Sequence, residues 1–280
     1  MLTALLTAAL QAASPSAPPP ASDESIVVTG ERPMTRGDIR HHLVEIGRTE
    51  QGQLARFATP ICPAVVGMPG PYVDVIVERL RETASGVGLK VADRPCVSNV
   101  TLIVVPDGAQ FVDAVRSTLI FSGLDPWEVR RVKRERPASA WNRIQAVNEH
   151  FQAAGSGGSI RVYGTSLFKQ PIQQVILEAF VLIDEKAVVG KSLVQLADYL
   201  AMRTLAETKP PREGGDATIL SLFDPNAAAP PSQATALDHA YLGGLYASEA
   251  LRTSGQQRSR ITTLIGRTLS PSAETDDRAE

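Results

Sequence analysis

The sequence predicts an α+β protein, a small mixed sheet with helices packed against it. Three observations predict this class. Apolar residues make up 43% of the 280 residues and charged residues 21%, the balance of a chain able to build a core. Two apolar runs, Val100–Val105 and 175–183, have the length of buried strands. The segments around them repeat their apolar residues at helical spacing, as Val73, Ile76, Val77 and Leu80 do.

Residues 1–13 are apolar and rich in Leu and Ala, and residues 14–22 are small and Pro-rich. An apolar stretch followed by small residues is the pattern of a secretory signal peptide, so 1–22 is read as a leader and the chain as periplasmic or otherwise exported. The β-type run Ser25-Ile26-Val27-Val28-Thr29-Gly30 follows; it resembles the segment that begins mature outer-membrane receptors of the TonB-dependent class. A helix is expected over Arg36–Ile46. It carries His41 and His42, which on a helix point about 100° apart and so do not share a metal.

Cys62 and Cys96 lie in Pro-containing loops on either side of a helix predicted over 73–84, which Gly86 and Gly88 end. They are not spaced as C-x-x-C, which argues against a thioredoxin-like pair. Two cysteines cannot make a structural zinc site. In an oxidising compartment they are expected to form a disulfide, worth about 3 kcal/mol. The strand Val100–Val105 stops at Pro106, and a helix is expected over 110–119.

Asp125 followed by Pro126 marks the next helix start. That helix carries Arg130, Arg131, Lys133, Arg134 and Arg136, a possible anion patch. The interleaved Glu128 and Glu135 point instead to a solvated face with local ion pairs. No aromatic residue alternates with the basic ones, which argues against single-strand nucleic-acid binding. The loop over 152–159 lacks the G-x-G-x-x-G spacing of a phosphate cradle, because Ile160 stands where the third glycine belongs. A short strand is expected at 160–162 and the strongest strand at 175–183.

Ser192, with Gln195 three residues on, fits a capping box. Leu193, Leu196, Ala197, Leu200, Ala201 and Leu205 then form one apolar stripe, with Asp198, Arg203 and Glu207 away from it. Lys209-Pro210-Pro211 stops this helix. A short apolar segment over 218–223, a helix over 236–246 and a last helix over 257–269 complete the pattern. The tail 269–280 is polar and expected to be disordered. The chain is expected to form two subdomains, 23–135 and 136–268.

Over 175–246 the order is buried strand, long helix, polar loop, short turn, and a helix bearing Asp238. This order resembles the catalytic half of zincin metalloproteases, and most of all the degenerate zincin-like bacterial proteins of unknown function. In active zincins the long helix carries H-E-x-x-H, whose histidines bind zinc and whose glutamate polarises water. Here the matching residues are Ala197-Asp198-Tyr199-Leu200-Ala201, with alanine at both histidine positions and Asp198 in place of the glutamate. Alanine offers a metal no donor, so the resemblance implies a zinc-free pseudo-enzyme without cofactor.

These observations give the expected function: an exported protein with a non-catalytic binding or scaffold role, its partner a peptide or an envelope protein. A peptide could be held by strand addition. The net charge of −2 argues against nucleic acid as partner. Beyond the N-terminus no run of about 18 uncharged apolar residues occurs, so no integral membrane segment is expected in the mature chain. One alternative is a periplasmic hydrolase, with Ser221, Asp238 and His239 as the first candidates. Gly164-Thr165-Ser166-Leu167-Phe168 begins like a nucleophile elbow but lacks its closing glycine. The carboxylates Asp184, Glu185 and Asp198 are read as solvated. A second alternative is a structural envelope protein acting through residues 25–30.

Overall fold

The computed structural model describes residues 34–155, 158–163, 169–212, 218–227 and 229–269, all within one compact unit, Pro33–Glu280. The expected leader 1–22, the run 25–30, the elbow-like segment 164–168 and the tail from 270 on lie outside the described residues.

The protein is α+β. In chain order the elements are α1 (Arg36–Ile46), β1 (Arg56–Phe57), β2 (Pro63–Val66), α2 (Gly70–Gly86), β3 (Val100–Val105), α3 (Gly108–Val115), α4 (Pro126–Arg134), β4 (Ala138–Val147), β5 (Gln173–Asp184), α5 (Glu185–Val188), α6 (Leu193–Thr204), α7 (Ala236–Ala247) and α8 (Ser254–Leu269). Single 3₁₀ turns occupy Leu119–Phe121 and Ile219–Phe223.

The sheet is built around β5. On one edge β5 pairs in parallel with β1 through Val175 and Ile176, and with β3 from Ala179 to Asp184. β2 lies outside β3, also parallel. On the other edge β4 runs antiparallel to β5 along nearly its whole length, from Ala138 opposite Ile183 to Val147 opposite Gln173. The strands therefore come from both sides of residue 135, and the two subdomains expected there share a single sheet.

A mostly parallel sheet is covered on both faces, and the alternation along each strand shows how. Val100, Leu102, Val104, Ile176, Ala179, Val181 and Ile183 face the larger core, with residues of α1, α2, α6, α7 and α8. Ile103, Trp141, Phe180 and Leu182 face a smaller core that Val112 of α3, Phe121 and Val132 of α4 close. There Phe121, Trp141 and Phe180 stack in series, with ring centroids 4.8 and 5.1 Å apart.

Several local predictions are met by the capping chemistry itself. Ser192 and Gln195 form the capping box of α6, Asp125 and Glu128 that of α4. Cys62 and Cys96 are bonded as a disulfide, which ties the start of β2 to the loop that precedes β3. Other segments differ from expectation. Residues 160–162 are irregular rather than a strand. β2 lies inside the segment read as a Cys-Pro loop; it is an edge strand with proline in first position, where the missing N–H costs no ladder bond. β4 had no sequence signal, because Asn142, Arg143 and Gln145 interrupt its apolar pattern. Its long pairing with β5 overrides that weak local preference.

Candidate functional site

The residues expected to carry chemistry are placed mostly in structural roles. On α6, Ala197 and Ala201 are buried in the larger core, where their methyl groups pack among leucines. Asp198 is fully buried. Its two oxygens accept from Arg79 of α2, Nε at 2.8 Å and Nη2 at 3.1 Å, and one also accepts from the Ala234 N–H at 2.7 Å. This carboxylate therefore clamps α6 to α2 and to the approach of α7. It is not solvated, because α2 closes over the face it occupies.

Ser221, Asp238 and His239 do not form a relay. The Ser221 hydroxyl is buried and donates to the Thr218 carbonyl at 2.8 Å. Asp238 accepts from the Thr218 hydroxyl at 2.6 Å, the Ile219 N–H at 2.9 Å, and the Thr235 N–H and hydroxyl. Its acceptor capacity is spent on capping α7 and fixing the 3₁₀ turn. His239, the next residue, is exposed and shares no hydrogen bond with either among the described residues. His41 is exposed and His42 buried, so these neighbours point apart as their helical spacing requires. His150 is exposed and meets the ring of Tyr163 edge-on at 4.9 Å. Among the described residues, no group of three or more His, Cys, Asp or Glu is placed to hold a metal.

Asp184, also expected in solvent, is half-buried at the end of β5. It accepts from the Gly108 N–H at 2.8 Å and faces Arg136 at 3.4 Å. The guanidinium of Arg136 lies where a side chain on Gly108 would begin, so any larger residue there would have to push Arg136 away from Asp184.

The most developed site was not foreseen. A cleft of about 420 Å³ opens between the start of α4, the edge of β4, the segment after α1 and the end of α6. Its charged lining includes Arg48, Arg131 and Arg203, which converge on Glu135. Arg131 reaches Glu135 at 2.7 Å, Arg203 at 3.1 Å and Arg48 only at 3.9 Å. Arg203 is completely buried and also donates to the Tyr199 hydroxyl at 2.9 Å. Burial pushes the Glu135 carboxyl up, but Arg203, Arg131 and Arg48 outweigh it and hold it below its usual range.

Glu207 behaves in the opposite way. Burial is the main cause, with Glu50 and Glu128 adding to it against Arg48 and Arg131, and its carboxyl is pushed up to about 7. Its Oε2 is buried without a hydrogen-bond partner, as are the Nε atoms of Arg131 and Arg203. Trp127 and Asp125, both exposed, line the same cleft.

One wall of this cleft is the open edge of β4. Pro137 faces β5, because its carbonyl accepts the Asp184 N–H at 2.9 Å. Alternate residues of an antiparallel strand point their backbone groups to opposite sides. Ala138, Ala140 and Asn142 therefore point away from β5. Arg131 confirms this, because its guanidinium donates to the Ala140 carbonyl at 3.2 Å from that side. The backbone of Asn142, next along, faces the cleft.

In sequence terms the arginine-rich helix was recognised, but its face was misassigned. Lys133 does pair with Asp113 in solvent, whereas Arg131 turns inward. The i,i+4 spacing of Arg131 and Glu135 was the available signal. Arg48 and Arg203 had none, because they meet that pair only through the tertiary fold.

The fold and site thus define an α+β protein with a charge-lined cleft beside an open strand edge. No family model, no curated protein and no solved structure matches the chain.

Proposed function

We propose that this chain is an exported, non-catalytic binding protein that takes an extended peptide along the free edge of β4. The observation that carries the proposal is the outward-facing backbone of Asn142 at the wall of the cleft. An unpaired strand edge is a ready template for a further strand, and most proteins cover it. Here Arg131 covers Ala140, and the edge opens into the cleft immediately beyond. The disulfide supports the exported part of the reading, since such bonds persist in oxidising compartments. The same proposal treats α6, with Ala197 and Ala201 where a zincin carries its histidines, as the packing helix of a zinc-free relative.

Replacing Asn142 by proline tests the proposal. Proline removes only the N–H that faces away from β5, so the β4–β5 ladder keeps its bonds. Asn142→Pro should weaken binding of a randomised N-acetyl pentapeptide mixture by about tenfold, the value of one lost hydrogen bond in a desolvated edge. The melting temperature should change little. A variant that melts normally and binds the mixture as the parent does would show that β4 is not the docking edge.

A further inference from the structure

Arg48 is the arginine in the cleft whose guanidinium stays open to solvent; the unpartnered Nε atoms of Arg131 and Arg203 are buried. The Arg48 side chain is 23% exposed, and it donates no hydrogen bond to a described residue. Its nearest carboxylate, Glu135, is 3.9 Å away and already engaged by Arg131 and Arg203. The backbone holds it there, since the Arg48 N–H donates to the Glu207 carbonyl at 2.8 Å. A guanidinium presents five donors in a planar fork that matches a carboxylate. Half-buried, reachable from the cleft and without a hydrogen-bonding acceptor among the described residues, it is an incomplete half of such a pair. Burial, and then the neighbouring Arg131 and Arg203, disfavour its charge. An anion beside it offsets the repulsion from those two arginines.

The other charges restrict which anion fits. Glu50, Asp125, Glu128 and Glu207 line the same cleft. A dianion or polyanion would face four carboxylates, whereas a single carboxylate can sit against Arg48 with the rest of its molecule neutral or basic. Arg143, the remaining cation of the lining, is already paired with Glu178.

We infer that Arg48 anchors one carboxylate of the bound molecule. The inference rests on the peptide reading above and specifies its chemistry. The carboxylate is either the peptide's C-terminus or an acidic side chain within it.

Three randomised N-acetyl pentapeptide mixtures separate these cases: one with a free C-terminus and no Asp or Glu, one amidated with a single Asp or Glu, and one amidated without acid. Binding is measured on the full chain, on Arg48→Met and on Arg48→Lys. At least one acidic mixture should bind about tenfold more tightly than the neutral one, as a charge-assisted pair requires. Which acidic mixture does so identifies the source. Arg48→Met should erase the preference while the neutral mixture binds as before, and Arg48→Lys should restore part of it. No preference in the parent, or one that survives Arg48→Met, overturns the inference and leaves strand addition standing.

If no mixture binds, strand addition fails, and acetate then decides the role of Arg48 separately. A saturable shift of the Arg48 Nε–H resonance with acetate, larger than with inorganic phosphate, supports the anchor. No shift, or a stronger response to phosphate, overturns it. This titration uses the unaltered protein, so it also decides the matter if Arg48→Met does not fold.

Discussion

Asp198 and Glu207 show how differently one fold can treat two buried carboxylates. Both lie off the apolar stripe of their segment, and the sequence pattern assigned both to the outer side. Asp198 found a bidentate arginine and a backbone donor, with Arg79 lying 119 positions away along the chain. That separation is why nothing local announced the partner. Asp198→Ala leaves Arg79 and the Ala234 N–H without their acceptor. It should cost about 3 kcal/mol in denaturant unfolding, the low end of the range for breaking a buried pair, because Arg79 is partly exposed. Glu207 found no partner for Oε2, and its carboxyl titrates at about 7 in the folded state against 4.5 as the ordinary value. A folded value above the unfolded one gives stability that is fully present below about pH 4.5 and is lost as pH rises through 7. Glu207→Gln should therefore match the parent near pH 4. At pH 8 it should be more stable, by up to about 3 kcal/mol. Unfolding curves across that range check the sign as well as the size.

Elements were legible where local chemistry alone determines them. The capping residues of α4 and α6, the proline stop after α6 and the β-branched run of β3 are readable without knowing any neighbour. β5 was legible for the same reason, since both of its faces are apolar. β4 was not, because its polar residues make sense only beside β5 and the cleft. β2 is four residues long and begins with proline, and it is a strand only because β3 lies next to it. The disulfide was legible from spacing and context, and its contribution can be measured. It closes a loop of sequence separation 34 around α2. Replacing both cysteines by serine should lower stability by about 3–4 kcal/mol in the loop-entropy account. The same loss should follow on reduction of the parent. Unchanged unfolding in dithiothreitol would show that β2 and α2 hold together without it.

At the scale of the whole molecule, the α+β class followed from the alternation of strand-like and helix-like segments, but the strand order did not. Placing β5 between β3 and β4 is a tertiary outcome, and it joins the halves on either side of residue 135. The cleft depends on that joining. Arg48 follows α1, Arg131 belongs to α4 and Arg203 to α6, and no stretch of sequence contains more than one of the three. The expected Ser221, Asp238 and His239 were close in sequence or in the fold, yet the fold spends the first two on local bonds. Ser221→Ala should therefore leave peptide binding unchanged, and a fluorophosphonate should not label the parent.

Hydrogen exchange on the full chain, with and without the N-acetyl pentapeptide mixture that carries free C-termini, tests the central claim most directly. Strand addition predicts slower exchange of amides over 142–145 when peptide is present, and no change at the opposite sheet edge, over 63–66. Exchange over 142–145 that is indifferent to peptide, or protection confined to 63–66, would contradict it.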